Sequence, residues 1–150
     1  MDDVIRDTGG GGHWLKPLFI IDDDGLNYRL PIYELISGGS GRGPFGKLLD
    51  GRGDKQTPRR LLSAAKMVAQ IGAEQALSAG RLKHLSGDVY EIKGRGLTAR
   101  AFCVLAGNGE RILVVARIEN TKGGNQGCYR RFISLVSSDV DVIKELAARL

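Results

Sequence analysis

The sequence is poor in the residues that usually mark metal, redox or membrane proteins. It holds two cysteines, Cys103 and Cys128, and two histidines, His13 and His84, among 150 residues. Neither cysteine has the spacing of a metal or redox motif. We therefore expect the protein to function in a reducing cytoplasm and to bind neither a metal nor a cofactor. No apolar run approaches the ~18 residues of a membrane span. No signal peptide is expected either, because no hydrophobic run follows the acidic first residues.

Positive charge is concentrated in the second half of the chain. The formal net charge is +5, and residues 1–30 lean acidic. Residues 81–131 instead carry ten Lys and Arg against four Asp and Glu. This asymmetry favours an anionic partner, with nucleic acid first. The alternative is that the basic surface serves only solubility.

The spacing of apolar and turn residues predicts one α+β domain over residues 14–150, after a flexible arm at residues 1–13. We expect two or three helices on one face of a mostly antiparallel sheet of four or five strands, with a C-terminal helix closing an edge. Helices are predicted near residues 31–36, 45–49, 57–72, 73–78 and after 137, and strands at 18–21, 89–93, 98–105, 111–118 and 132–136. Thr57 is the predicted N-cap of the 57–72 helix, and Gly94 is predicted in a hairpin turn.

Two short motifs have both a functional and a structural interpretation. Residues 41–47 (GRGPFGK) match the glycine and lysine spacing of phosphate-binding loops. Leu48 stands where such a loop needs Ser or Thr for magnesium, which favours a plain flexible loop. The three aspartates at residues 22–24 could bind a divalent cation or form a solvated turn.

Basic residues recur on three consecutive predicted strands, as Lys93, Arg100 and Arg117. Strand alternation puts Lys93 on one face with Glu91, and the three cations line one face if the strand registers agree. Such a face can bind phosphate, or its charges can be solvated sheet-edge residues. Metal-free RNA cleavage needs a base for the ribose 2′-OH, cations for the phosphorane and an acid for the leaving oxygen. The rim of this patch includes Lys122, Tyr129, Arg130 and Arg131.

His84 follows the cations Arg81 and Lys83 in the sequence and precedes the predicted sheet. A neutral imidazole there would suit proton transfer. The alternative is an ordinary surface histidine.

Several segments together resemble the RelE/ParE toxin superfamily, in particular its phage-derived HigB-like branch. The resemblance covers residues 17–125 in outline, and specific identities are confined to residues 83–105. The segments are 18–35 (LFIIDDDGLNYRLPIYEL), 61–72, 83–93 (KHLSGDVYEIK), 99–103 (ARAFC) and 112–122 (ILVVARIENTK). The chain departs from the family pattern at Lys93, where arginine is usual, and at Ala99, where tyrosine is usual.

The resemblance implies a RelE-like fold and a toxin of a toxin–antitoxin pair that cleaves mRNA on the ribosome without a metal. Implied partners are mRNA, the ribosome and a cognate antitoxin protein, and a homodimer stays open. Some relatives poison DNA gyrase, so a non-catalytic binding module or a phage accessory protein is the alternative. In the catalytic interpretation, Lys93, Arg100 and Lys122 hold the scissile phosphate while His84 or Tyr129 moves protons. Further RNA or phosphate contacts are expected from Arg59, Arg60, Arg81, Lys83, Arg95, Arg117, Arg130 and Arg131.

Overall fold

The computed structural model describes residues 5–6, 12–38, 41–51, 54–94, 96–121 and 126–150, with only the backbone at 5–6 and 126–128. The strands are β1 (Ile5–Arg6), β2 (His13–Ile21), β3 (Asn27–Ser37), β4 (Leu82–Ser86), β5 (Val89–Lys93), β6 (Ala99–Ala106) and β7 (Ile112–Asn120). The helices are α1 (Pro44–Asp50), α2 (Gln56–Ile71), α3 (Ala73–Ser78), α4 (Gln126–Ser137) and α5 (Val140–Ala148).

All seven strands form one mixed sheet in the order β1-β2-β3-β7-β6-β5-β4. The β3–β7 pair is parallel, and every other pair is antiparallel. The α+β class is therefore confirmed. The prediction of four or five mostly antiparallel strands is wrong, because an N-terminal hairpin and the edge strand β4 extend the sheet on both sides.

Helices cover both faces of the sheet, and each face has its own apolar core. One core lies under α1, α2 and α3 and includes Leu61 and Val68 of α2. The other lies under α4 and α5 and includes Phe132, Ile143 and Leu146. The expectation of helices on a single face is wrong, and α5 packs on a face against β6 and β2 and does not close an edge.

Residues 31–36, predicted to form a helix, belong to strand β3. Apolar residues at 32, 35 and 36 fit a helical stripe, but Tyr28, Leu30 and Ile32 alternate with more exposed neighbours along a buried strand. Pro31 lies beside a register shift in the β2–β3 pairing. Proline is tolerated at such irregularities, because its missing N–H is not needed for a hydrogen bond between the strands. The alternation of buried and more exposed residues along residues 27–33 is longer than the helical stripe, and the segment forms a strand.

Residues 132–136, predicted as a strand, belong to helix α4. Tyr129, Phe132 and Val136 follow each other at helical spacing and pack against the second core. A short apolar run fits both periods, and only its surroundings decide between helix and strand.

The elements around the basic residues agree best with prediction. Strand β5 has the predicted bounds, and α3 also forms where it was expected. Helix α2 ends before Gly72, whose φ of +88° favours glycine. The N-cap prediction is wrong, because α2 starts at Gln56 and not after Thr57. Of the predicted arm, Ile5–Arg6 pairs with β2, and most of its other residues lie outside the described ranges.

Candidate functional site

The β5–β6 register places Lys93 directly opposite Arg100. Residues opposite each other on antiparallel strands share a sheet face, with Cβ atoms ~4.5–5.5 Å apart. Glu119 of β7 continues this row beyond Arg100. Two of the three predicted phosphate-binding cations are therefore adjacent, and the third, Lys122, lies outside the described residues.

The Arg100 guanidinium is held by the backbone that leads into β6. Its Nη1 donates to the carbonyl oxygens of Leu97 and Ala99, the latter at 3.2 Å. Its Nε is buried and has no hydrogen-bond partner among the described residues. The side chain is thus fixed in place at the edge of the cleft that it lines.

A cleft of about 390 Å³ opens beside this pair. Three cations line it, and glycines supply much of the remaining wall, which lets a ligand approach the backbone closely. The cations are Arg81, Lys93 and Arg100, and the glycines are Gly80, Gly94 and Gly96.

A second cleft of about 280 Å³ adjoins the first, because Arg81, Lys93 and Gly94 line both. Helix α2 supplies its other side through Arg60, Ser63, Ala64 and Met67. No carboxylate lines either cleft within the described part of the chain, and neither Arg81 nor Lys93 forms an ion pair there. The positive charges of Arg81 and Lys93 in this concave surface create a field that attracts anions.

A second row of side chains crosses the same sheet face next to Lys93 and Arg100. Phe102 of β6 pairs with Glu91 on one side and Arg117 on the other. The Tyr129 ring of α4 meets Phe102 edge-on, with ring centroids 5.9 Å apart. Arg117 is neutralised by Glu119, with Nη2 and Oε1 2.8 Å apart. Arg117 thus contributes less free charge than the sequence suggested.

Glu91 is an unexpected member of this face. Its side chain is 3% exposed, and its Oε2 has no hydrogen-bond partner among the described residues. Burying a carboxylate without partners is unfavourable. Lys83 lies directly opposite Glu91 across the β4–β5 ladder, and Lys93 follows Glu91 two residues later on the same face. The alternation of Glu91 with Lys93 was visible in the sequence, but the burial of Glu91 was not.

His84 lies away from these residues. It pairs across the β4–β5 ladder with Tyr90, and the two rings are 4.9 Å apart. Tyr90 packs on the face of the α2 core, and Lys93 follows three residues later on the opposite face. Three residues of strand span ~10 Å. His84 Nε2 is 2.7 Å from the carbonyl oxygen of Gly87, so the imidazole serves the β4–β5 turn.

The other predicted contact residues are scattered. Arg60 and Arg81 reach the clefts, whereas Arg59 is exposed on α2 outside both. Lys83 pairs with Glu91 on the edge strand β4. Arg95 lies outside the described residues, and Arg130 and Arg131 are exposed on α4.

Residues that the sequence analysis missed complete the clefts, chiefly Ser63, Met67 and Gly94. The first two follow Arg60 at intervals of three and seven, a spacing that places them on one helix face with it. That signal was readable in the sequence. Gly94 was predicted only as a turn residue.

The glycine-rich segment at residues 41–47 does not form a phosphate loop. The Glu34 carboxylate accepts a 2.7 Å hydrogen bond from the backbone N–H of Phe45, at the start of α1. A Cβ on Gly43 would lie 2.6 Å from Glu34 Oε2. The chain's own carboxylate therefore occupies the place where a phosphate would bind.

The three aspartates at residues 22–24 form a turn, as the structural interpretation predicted. Asp22 Oδ1 accepts hydrogen bonds from the backbone N–H groups of Asp24 and Leu26 at 2.9 and 3.0 Å. Among the described residues, no group of three or more His, Cys, Asp and Glu side chains could hold a metal ion.

No helix in the described ranges has the length and apolar character needed to cross a membrane. No protein-family model, curated protein or solved structure matches the chain. The site's own geometry, a glycine-lined cleft in which Arg81, Lys93 and Arg100 meet without a carboxylate, therefore carries the functional argument.

Proposed function

We propose that this chain is the toxin of a toxin–antitoxin pair and cleaves mRNA on the ribosome without a metal. The cleft beside Lys93 and Arg100 would bind the scissile phosphate. The observation that carries the proposal is the meeting of three cations in this glycine-lined cleft, with no carboxylate among its described lining residues. The resemblance to RelE/ParE toxins around residues 83–105 supports the choice of RNA as substrate.

The proposed reaction is attack of the ribose 2′-oxygen on the adjacent phosphorus. A bond from the 2′-oxygen to phosphorus forms and the bond to the 5′-oxygen breaks, leaving a cyclic phosphate and a 5′-hydroxyl. A base takes the 2′-OH proton and an acid protonates the leaving oxygen. Lys93 and Arg100 stabilise the negative charge that develops on the phosphorane oxygens.

Tyr129 is the proposed proton-transfer group, and His84 is not. Tyr129 lines neither cleft, but its ring contacts Phe102, which lies two residues beyond Arg100 on the same strand and face. His84 is not among the lining residues of either cleft, and its Nε2 is hydrogen-bonded to the Gly87 carbonyl oxygen. We therefore expect Tyr129→Phe to lower the cleavage rate by ~10²- to 10⁴-fold, the usual share of acid–base catalysis. His84→Gln should leave the rate unchanged, and the opposite ranking would refute this assignment.

The test is cleavage of end-labelled mRNA by the purified chain in the presence of ribosomes. Arg100→Ala should lower the rate by ~10²- to 10³-fold, because a charge-stabilising donor is lost from the transition state. Lys93→Ala provides a second variant at an exposed position, so misfolding cannot explain both losses. Arg130→Ala removes the same charge as Arg100→Ala from an exposed site on α4 and should retain activity. Cleavage unaffected by both cleft variants would rule out this site.

A non-catalytic binding module is the second candidate, and one observation favours it. Arg100 already donates to two backbone carbonyls, and the cleft's described lining includes no side chain that could act as a base at neutral pH. Such a site binds phosphate without cleaving RNA. Under this alternative, the chain inhibits gyrase supercoiling or binds an antitoxin peptide, and mRNA stays intact in the ribosome assay.

A further inference from the structure

The second cleft has the chemistry of a nucleotide subsite. Helix α2 contributes Arg60, then Ser63 about one turn later, and Met67 one turn further on. Met67 is 36% exposed, although large apolar side chains are usually buried. A cation, a hydroxyl and an apolar surface in one cleft match the phosphate, ribose and base of a nucleotide.

The two clefts are adjacent, because Arg81, Lys93 and Gly94 line both of them. A Cβ on Gly94 would lie 2.5 Å from Leu97 Cδ1 and 3.8 Å from the Arg60 carbonyl oxygen. Helix α2 and the β5–β6 turn therefore approach closely, without a side chain at position 94 between them. Arg81 and Lys93 line both clefts, so cations run along the whole path.

We propose that one strand of RNA spans both clefts and that the second holds the nucleotide next to the scissile phosphate. One phosphate lies against Lys93 and Arg100, and its neighbour lies against Arg60 and Arg81. The base of the held nucleotide packs on Met67 and Ala64. A base can enter such a cleft only when it is unpaired, so the substrate is single-stranded. This inference rests on the proposed function and adds its substrate subsite.

The test is binding of uncleavable 2′-O-methyl oligoribonucleotides that contain one, two or three phosphodiesters, measured by fluorescence anisotropy at several salt concentrations. We expect affinity to rise at least 10-fold from one phosphodiester to two, and much less from two to three. A matched duplex should bind at least 10-fold more weakly than the single strand. Equal binding of duplex and single strand would overturn the proposal.

Arg60→Ala should reduce the gain from the second phosphodiester, which keeps only Arg81, and should lower the salt slope by about 0.7, the contribution of one phosphate on a single strand. Arg59→Ala is the matched control, because it removes the same charge from the adjacent exposed residue outside both clefts. Arg60→Lys keeps the charge and should retain the slope. If Arg60→Ala and Arg59→Ala behave alike, the helix contributes only diffuse charge and the proposed subsite does not exist.

The probes cannot be cleaved, so this experiment is independent of catalysis. If the subsite is wrong and the proposed function is right, mRNA is still cleaved while the Arg60 variant binds the probes as the native chain does. If the proposed function is wrong, mRNA stays intact even when the two-phosphate gain is present.

Discussion

Two buried carboxylates, Glu34 and Glu91, show how differently single residues of one type are accommodated. Glu34 is 4% exposed and accepts the Phe45 N–H. Burial raises its pKa above the ordinary 4.5, although the Phe45 hydrogen bond and the charge of Lys16 oppose this change. Glu91 has no described partner for Oε2 but shares a sheet face with two cations. The first carboxylate is structural, whereas the second is buried on the sheet face of Lys93 and Arg100 without lining either cleft.

Glu34 should make the protein less stable as the pH rises. Its pKa is raised in the folded state, so the folded chain holds more protons than the unfolded chain at pH values between the two pKa values. The free energy of unfolding therefore falls as the pH rises from about 4.5 through the raised pKa. Glu34→Gln keeps an oxygen for the Phe45 N–H and should remove this dependence on pH.

Urea unfolding between pH 4 and pH 8 measures the pH dependence of the free energy of unfolding, with Glu74→Gln at an exposed position of α3 as the control. Parallel curves for Glu34→Gln and the native chain would contradict the prediction.

At the scale of elements, helix α2 is central because it supplies one wall of the second cleft and the main apolar stripe of one core. Its start depends on Asp54, which precedes the helix. Asp54 Oδ1 accepts the Gln56 N–H at 2.8 Å, and Oδ2 accepts the Thr57 hydroxyl at 2.8 Å. Thr57, which was predicted as the N-cap, instead donates its hydroxyl hydrogen to Asp54. Asp54 is the residue that accepts a backbone N–H of the first turn.

Asp54→Ala should lower the melting temperature, because the first turn of α2 loses its acceptor. Asp54→Asn keeps the oxygen for Gln56 and should retain most of the stability. The hydrogen bonds from Gln56 and Thr57 lower the pKa of Asp54 in the folded state. Its contribution is therefore present above the ordinary value of 3.8 and is lost as the pH falls through the lowered pKa. Thermal melts at pH 7 and pH 3 test this prediction. If Asp54→Ala lowers the melting temperature equally at both pH values, or at neither, the prediction is wrong.

At the scale of the whole molecule, the described residues form two apolar cores on opposite faces of one sheet. Strand β6 contributes Ala101, Cys103 and Leu105 to one face and Phe102, Val104 and Ala106 to the other. Burial raises the pKa of the Cys103 thiol, which keeps it protonated and inert. Because the same backbone supports both cores, neither can be lost without disturbing the other.

Core truncations on either face should therefore destabilise one cooperative unit. Leu61→Ala under α2 and Leu146→Ala in α5 each remove a fully buried side chain and should cost about 2–5 kcal/mol. Urea unfolding followed by Trp14 fluorescence and by far-UV circular dichroism should give coincident single transitions in both variants. Separate transitions for the two probes would show that the faces unfold independently.

The sequence by itself determined the features that depend on a few adjacent residues. The apolar spacing of α2 and the alternation along β5 needed no distant partner, and neither did the turn glycines. The relation of Lys93 to Glu91 on one face followed from strand geometry alone. These patterns are local, so the printed residues contain them in full.

Only the tertiary structure decided which segments meet. Residues 31–36 and 132–136 each satisfied two periods, and their neighbours selected strand for one and helix for the other. Pairing between distant strands sets the Lys93–Arg100 register and turns His84 away from these two residues. The packing of α2 against the β5–β6 turn brings the Arg60 backbone close to Gly94. The physical reason is that strand register and helix packing minimise the free energy of the whole fold, and no single segment encodes that sum.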